Sequence, residues 1–391
     1  MFRFLWTLFL TLALQAQPRT FSTPVTVDIN GHWVLRVELG TKGLSQSFYR
    51  TFRFILDTGT TLCILDKSVA PEFFQTHWWR PNLKMADING IEVKYPVVSI
   101  HRMKVGEITQ TCVKAVVMDL KSGVLGSIED EPVDGIVGMN FLVGRAFTWE
   151  PSTQSILWND VPIDGIRLPI ISDRAGLPTL KLSVDKASFL AILDTGAYDG
   201  FSIPSRVIKT DLKGTESWVS GLNGSSNIEK RVDLPKINAG PVEWERVKAS
   251  LVTTREGNLG LSIFAHQKTG FDFRNHFFIL LDGPDSRSLN PFEGYNDWSP
   301  IWLRKDGESY LQMPELAEGG PAYRAGLRRS DVVLCVNKLA GPRLNRRAIR
   351  DEVRKGPTTW VVLRNNKPLT LQLEAQPYPP RPQKALGREP S

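Results

Sequence analysis

The sequence predicts a mainly β protein: two duplicated β-barrel lobes with pseudo-twofold symmetry, followed by a small α+β domain. Three observations predict it. The first is an internal repeat, in which Phe54-Ile-Leu-Asp57-Thr58-Gly59-Thr60 reads like Ala191-Ile-Leu-Asp194-Thr195-Gly196-Ala197. The second is that the landmarks following each copy keep step along the chain. The third is composition: 31 Gly, 26 Pro, 11 Trp and 19 Phe in 391 residues suit many short strands closed by turns.

The first element, residues 1–16, reads as a signal peptide. Met1-Phe-Arg3 is a short cationic start, Phe4 to Leu14 is an apolar run, and Ala16 precedes a cut that would leave Gln17. The run is too short to span a bilayer comfortably, and its other reading is a retained N-terminal anchor. The mature chain is therefore expected to be exported: periplasmic, in the cell envelope or secreted. There Cys63 and Cys112 either pair or remain two inert buried thiols.

The two lobes follow, at residues 21–160 and 161–284. Gly90 lies 33 residues after Asp57 and Gly224 lies 30 after Asp194; Gly106 and Gly240 lie at 49 and 46, and Val113-Lys-Ala115 and Val247-Lys-Ala249 begin at 56 and 53. One offset of three serves all of these. Gly138 and Gly260 then fall at 81 and 66, which places an insertion of 12 residues around Lys121 to Pro132 of the first copy. Each copy ends alike, in Phe147-Thr-Trp-Glu to Trp158 and in Phe271-Asp-Phe-Arg to Leu280, as expected of closing hairpins. A period of 137 residues is far beyond a solenoid repeat and implies a duplicated domain.

An apolar strand entering a tight Gly turn holds an Asp at a fixed place with little water around it. Two such loops on a twofold axis would bring Asp57 and Asp194 face to face. Like charges a few ångströms apart cannot both ionise easily, so the pair carries one proton. The ionised member can take a proton from water while the protonated member donates to a carbonyl oxygen, which is general acid–base amide hydrolysis without a covalent intermediate.

On these residues the repeat resembles the retropepsin-like (pepsin-type) aspartic proteases, in the bacterial single-chain form with two fused lobes. The family also carries two apolar residues and a Gly later in each lobe. Ile136-Val137-Gly138 fits, whereas Asn258-Leu259-Gly260 departs from the pattern at Asn258. The resemblance implies Asp57 and Asp194 as the catalytic pair, Thr58 and Thr195 locking the loops together, Gly59 and Gly196 making the turns, and Gly138 and Gly260 letting a strand thread behind. It also implies a hydroxyl three residues after each Asp that lowers its pKa; Thr60 supplies one and Ala197 does not, so the optimum is expected to be less acidic than in stomach-type enzymes. Asn89, Gly90, Asn223 and Gly224 occupy the place of hairpin flaps over the substrate.

Residues 285–298 read as a linker and 299–375 as a different module. Gly320-Pro-Ala322-Tyr-Arg-Ala325-Gly326-Leu327, then Asp331-Val-Val-Leu and Asn337, resemble a bacterial PDZ domain; a helical stretch over Asn345 to Lys355 and two β runs, Thr359–Arg364 and Leu369–Leu373, complete it. Such domains capture peptide C-termini by adding a strand to a sheet edge, which implies a groove at Ile301, Trp302 and Leu303. The carboxylate-loop glycines are missing there, and Pro300 removes an amide donor. Residues 376–391 form a Pro-rich tail expected to be disordered.

Charge and counting exclude other classes. The net charge of +7 comes from Ala317 to Ser391, which alone carry +9, and reads as a solvated basic face with no nucleic-acid motif beside it. Three Cys exclude a disulfide scaffold, and there is no His-Glu-x-x-His, Gly-x-Ser-x-Gly, Cys-x-x-Cys or phosphate-binding loop. No cofactor or metal is expected. His32, His77, His101, His266 and His276 are scattered and read as structural or surface residues. The sequence thus leads to an exported aspartic endopeptidase acting on protein or peptide substrates, its active site complete within one chain. The competing reading is an inactive peptide-binding or scaffold protein using the same cleft.

Overall fold

In a computed structural model, the structure describes residues 19–27, 32–40, 49–70, 82–86, 92–121, 132–162, 164–173, 175–197, 200–208, 212, 214–220, 226–265, 267–281, 298–305, 308–316, 321–328, 331–341, 344 and 346–374. The expected signal segment, the tail, most of the linker, the insertion and the four flap-tip residues lie outside them. The fold is mainly β. Among the described residues, the longest helix is Arg346–Lys355, and no helix is long and apolar enough to cross a membrane.

The first lobe closes six strands into a barrel: β1 (Trp33–Gly40), β2 (Tyr49–Leu56), β3 (Cys63–Asp66), β4 (Glu92–Val105), β5 (Ile108–Met118) and β6 (Gly135–Val137). Around the ring the order is β1-β2-β6-β3-β5-β4, and β4 returns to β1 through Val37↔Val105. The second lobe repeats this with β7 (Pro178–Val184), β8 (Ala187–Leu193), β9 (Phe201–Pro204), β10 (Ser226–Ala239), β11 (Val242–Val252) and β12 (Gly257–Leu259), in the order β7-β8-β12-β9-β11-β10. Here closure is made by Ser183↔Asn238. Closing a sheet on itself removes its edges, and the alternation Trp33, Leu35, Val37, Leu39 fills the interior from one strand.

Parallel pairing at two places matters for the site. Strand β6 runs parallel beside β2, with Ile55↔Ile136, and β12 runs parallel beside β8, with Ile192↔Asn258. Both β2 and β8 end at the repeated Asp. Because β6 and β12 are buried and come late in their lobes, each pins the end of the strand that carries the carboxylate.

The two closing hairpins do more than finish their lobes. Residues 146–150 pair antiparallel with residues 269–272, and with 21–24, 155–158, 277–280 and 166–169 they make a six-stranded sheet, three strands from each lobe. Phe147 stacks on Phe271 at 4.7 Å across the join, and Trp33 stacks on Trp149 at 4.5 Å. Such pairs add about 0.5–1.5 kcal/mol each beyond their area burial. The two lobes therefore share one hydrophobic core.

The C-terminal residues have a separate core around Leu327, Val336, Ile349 and Trp360. Strands at 298–305, 308–316, 332–336, 358–364 and 367–373 form its sheet, with a helix at Arg346–Lys355. The last two strands are joined tightly: Asn365 and Asn366 have φ of 51° and 59°, the conformation a two-residue hairpin loop requires. Arg364 pairs with Asp331, whose side chain is fully buried.

Candidate active site

The end of β2 delivers Asp57 and the end of β8 delivers Asp194. Their backbone N–H groups donate to Val137 O and Leu259 O, both at 3.0 Å, so each loop is hung from its parallel neighbour. Thr58 and Thr195 then cross-link the loops. The Thr58 hydroxyl donates to Leu193 O (2.5 Å) and accepts from Thr195 N–H (3.0 Å); the Thr195 hydroxyl donates to Leu56 O (2.7 Å) and accepts from Thr58 N–H (3.0 Å). Four buried hydrogen bonds fix one loop against the other.

The two carboxyls meet at this junction. Each lies so close to the opposite turn that a side chain there would collide with it: a Cβ on Gly59 would sit 2.3 Å from Asp194 Cγ, and one on Gly196 would sit 2.4 Å from Asp57 Cγ. Gly138 is constrained similarly, since a Cβ would lie 2.5 Å from Leu62 O. Gly260 donates its N–H to Gly200 O at 2.7 Å behind the second loop.

Electrostatics follow from this geometry. Asp57 is 7% exposed; burial and the opposing Asp194 charge hold its carboxyl well above the ordinary carboxylate range, against one N–H donated by Gly59 at 2.7 Å. Asp194 is half-buried, and burial raises it too, but hydrogen bonds from Asp57 and from the N–H groups of Gly196 (2.9 Å) and Ala197 (3.0 Å) pull it back. The pair thus retains a proton above the pH at which isolated carboxyls lose theirs.

One expectation needs correction. The Thr60 hydroxyl donates to Leu62 O at 3.4 Å rather than to the Asp57 carboxyl. The departure from pattern at Asn258 is a contact: its Nδ2 donates to Asp194 Oδ2 at 3.2 Å. Ala197 contributes through its backbone alone. His32, read from sequence as structural or surface, is 2% exposed, and its positive form would favour both carboxylates. Nothing in the local sequence around Asn258 or His32 signals this; only the strand pairing and the chain fold bring them to the pair.

Asn89, Gly90, Asn223 and Gly224 lie outside the described residues. The strands leading to the first pair are seen: residues 82–86 fold back on β4 with Met85↔Val93 and Leu83↔Tyr95, placing four apolar residues on one face. Ile301, Trp302 and Leu303 lie on the edge strand 298–305, far along the chain from the carboxyl pair, and the pairing is interrupted between Ser299 and Ile301, where Pro300 sits. Cys63 and Cys112 are both free thiols; Cys63 is buried, which pushes it up to about 12. No group of three His, Cys, Asp or Glu suited to a metal occurs among the described residues.

Residues 25–141 match the aspartyl protease family model. The matched span holds the first Asp-Thr-Gly, the strand Gly135–Val137 and Gly138, and the match supports reading the chain as a protease of the aspartyl type. A solved retropepsin-like aspartic protease from Rickettsia conorii is 14% identical, with 36% of this chain and 91% of that chain covered and a TM-score of 0.25. A curated protein of Thermotoga maritima named "Putative zinc metalloprotease" is 34% identical over 105 residues, 26% of this chain. The chain spans only 20% of that relative's length.

Proposed function

We propose that the protein is an exported aspartic endopeptidase in which Asp57 and Asp194 together activate a water molecule. The observation that supports it best is the juxtaposition of a buried and a half-buried carboxyl, locked by Thr58 and Thr195 and holding their proton above the ordinary range. One member takes a proton from water as the hydroxide adds to the peptide carbonyl; the other gives its proton to the carbonyl oxygen. Collapse of the tetrahedral adduct returns a proton to the leaving amine, and the pair ends with the one proton it began with. The flap role read for the tip of the first hairpin belongs to the same proposal; its strands are anchored on the lobe, since Met85 and Tyr95 pack against the cluster of Val34, Ile55 and Ile136.

The C-terminal module is read as a PDZ domain that presents or selects protein substrates or partner peptides. Its edge strand at 298–305 and its separate core favour that reading, and the lost amide at Pro300 weakens carboxylate capture.

The test is cleavage of an unstructured peptide library by the full chain between pH 3 and 8, with Asp57→Asn and Asp194→Asn as controls. Cleavage that vanishes in both variants supports the reading. A folded chain that cuts nothing across this range refutes it in favour of a peptide-binding protein.

A further inference from the structure

The repeat makes the two loops nearly equivalent, yet their hydrogen bonding is unequal. Asp57 accepts one backbone N–H, from Gly59. Asp194 accepts two, from Gly196 and Ala197 on Oδ1, and a third donor, Asn258 Nδ2, on Oδ2. Asn258 occupies the middle of β12, beside Ile192 of the strand that delivers Asp194. The equivalent residue in the first lobe is Ile136, beside Ile55, which is 1% exposed and packs into an apolar cluster. An amide placed where the other lobe has an aliphatic side chain therefore breaks the twofold symmetry at one carboxylate and not at the other.

We propose that Asn258 is a positioning residue that keeps the negative charge of the pair on Asp194 and leaves the shared proton on Asp57. An amide N–H donated to a carboxylate favours its ionised form. Asp57 is also the more buried of the two, 7% exposed beside a half-buried Asp194, and burial disfavours its charged form, in the same sense. The titratable groups that bear on Asp194 among the described residues are Asp57 and His32, and His32 acts on both carboxylates in the same direction.

The consequence is a fixed division of labour, resting on the protease reading above. Water loses its proton to Asp194 as its oxygen bonds to the carbonyl carbon, and Asp57 passes its proton to the carbonyl oxygen. On collapse, Asp194 gives its proton to the amine nitrogen as the C–N bond breaks, and Asp57 recovers one from the adduct hydroxyl. The proton count of the pair is one at the start and one at the end.

The test uses the full chain and two readouts. Carbon-13 carboxyl shifts of Asp57 and Asp194, assigned with the two Asp→Asn variants, give the order of ionisation without turnover; the acidic limb of kcat/KM reports the same event in catalysis. Asn258→Ile copies the residue that the first lobe already accommodates. Asn258 stabilises the singly charged pair against the doubly protonated one, so its removal is expected to raise the first ionisation by about one pH unit, with a matching loss of about tenfold in kcat/KM below that limb. The second ionisation stays in place, because the bond to Asp194 is present on both sides of that step. Asn258→Ser, which keeps a shorter donor, gives an intermediate shift and serves if the Ile variant does not fold. Ionisation of Asp57 before Asp194 in the unmodified chain, or a first ionisation unmoved in both variants, overturns the proposal. A chain that cleaves nothing but shows the expected order and shift sinks the protease reading while leaving the charge assignment standing.

Discussion

Replacing Thr58 by Val removes a hydroxyl at constant shape and tests whether the threonine pair holds the two lobes together. The change deletes the bond to Leu193 O and leaves Thr195 N–H without its acceptor, both in a buried junction. Each stranded group costs about 1–3 kcal/mol, so a loss of about 3 kcal/mol is expected. For two lobes of about 260 residues, at about 2.1 cal/mol/K per residue, that corresponds to roughly 5 °C in Tm. Thr195→Val removes the other two bonds, to Leu56 O and from Thr58 N–H, and should cost as much. Because all four bonds span one junction, the first substitution loosens what the second would break, and the double variant should cost less than the sum by about 0.5–3 kcal/mol. Calorimetry suits the measurement, since the C-terminal module has its own core and should melt apart from the lobes. A single-variant loss below about 1 kcal/mol, set against the buried-group cost, or strict additivity of the pair, would refute the idea that these hydroxyls couple the lobes.

Three further outcomes follow from the same geometry. The Asp57 and Asp194 carboxyls sit above their unfolded value, so the native state holds protons that the unfolded chain has released; their contribution is intact below about pH 3.8 and is lost as pH rises through the native titration. Asp57→Asn should therefore gain in Tm relative to the unmodified chain on going from pH 4 to pH 7, and a gap that narrows instead would contradict the sign. Gly196→Ala forces a methyl to within 2.4 Å of Asp57 Cγ, so it should lower stability by about 1–3 kcal/mol and abolish cleavage, read by melting and by peptide turnover. Cys112 is exposed, whereas the Cys63 thiol is buried and pushed to about 12, so a thiol reagent at pH 8 should label Cys112 in the native chain and reach Cys63 only after unfolding.

The repeat was legible because duplication puts like residues at like places. The matched Gly106 and Gly240 close the hairpins β4–β5 and β10–β11, and the matched Gly138 and Gly260 follow the strands β6 and β12. The turn at Asn365-Asn366 has a local cause, since Asn tolerates positive φ. The six-stranded sheet between the lobes was not. Its closing hairpins show in the sequence, but the pairing of Ala146 with Asp272 depends on how two lobes dock, and no local pattern encodes that. The same holds within the site. Asp57 and Asp194 announce themselves by repetition, whereas Asn258 and His32 matter through neighbours supplied by distant strands. The Thr60 hydroxyl shows the converse failure: the right residue type at the right spacing turned to Leu62 O instead.

On the protease reading proposed above, symmetry and chemistry make opposite demands on this site. A twofold pair of loops is an economical way to bring two carboxyls together, because one turn sequence made twice fits against itself: the Gly of each loop makes room for the Asp of the other. Hydrolysis of an amide, however, needs one acid and one base on a substrate whose two ends differ. A symmetric dimer would hold both carboxyls in one environment and let the substrate decide between them. A fused chain can decide in advance, because each lobe changes separately. Here the differences fall next to the carboxyls: Thr60 against Ala197, and Ile136 against Asn258. Of these, the Thr60 hydroxyl turns away from Asp57, and Ala197 reaches Asp194 only through its backbone. Among the described residues, that leaves the amide of Asn258 as the side chain by which the second lobe distinguishes its carboxylate from the first.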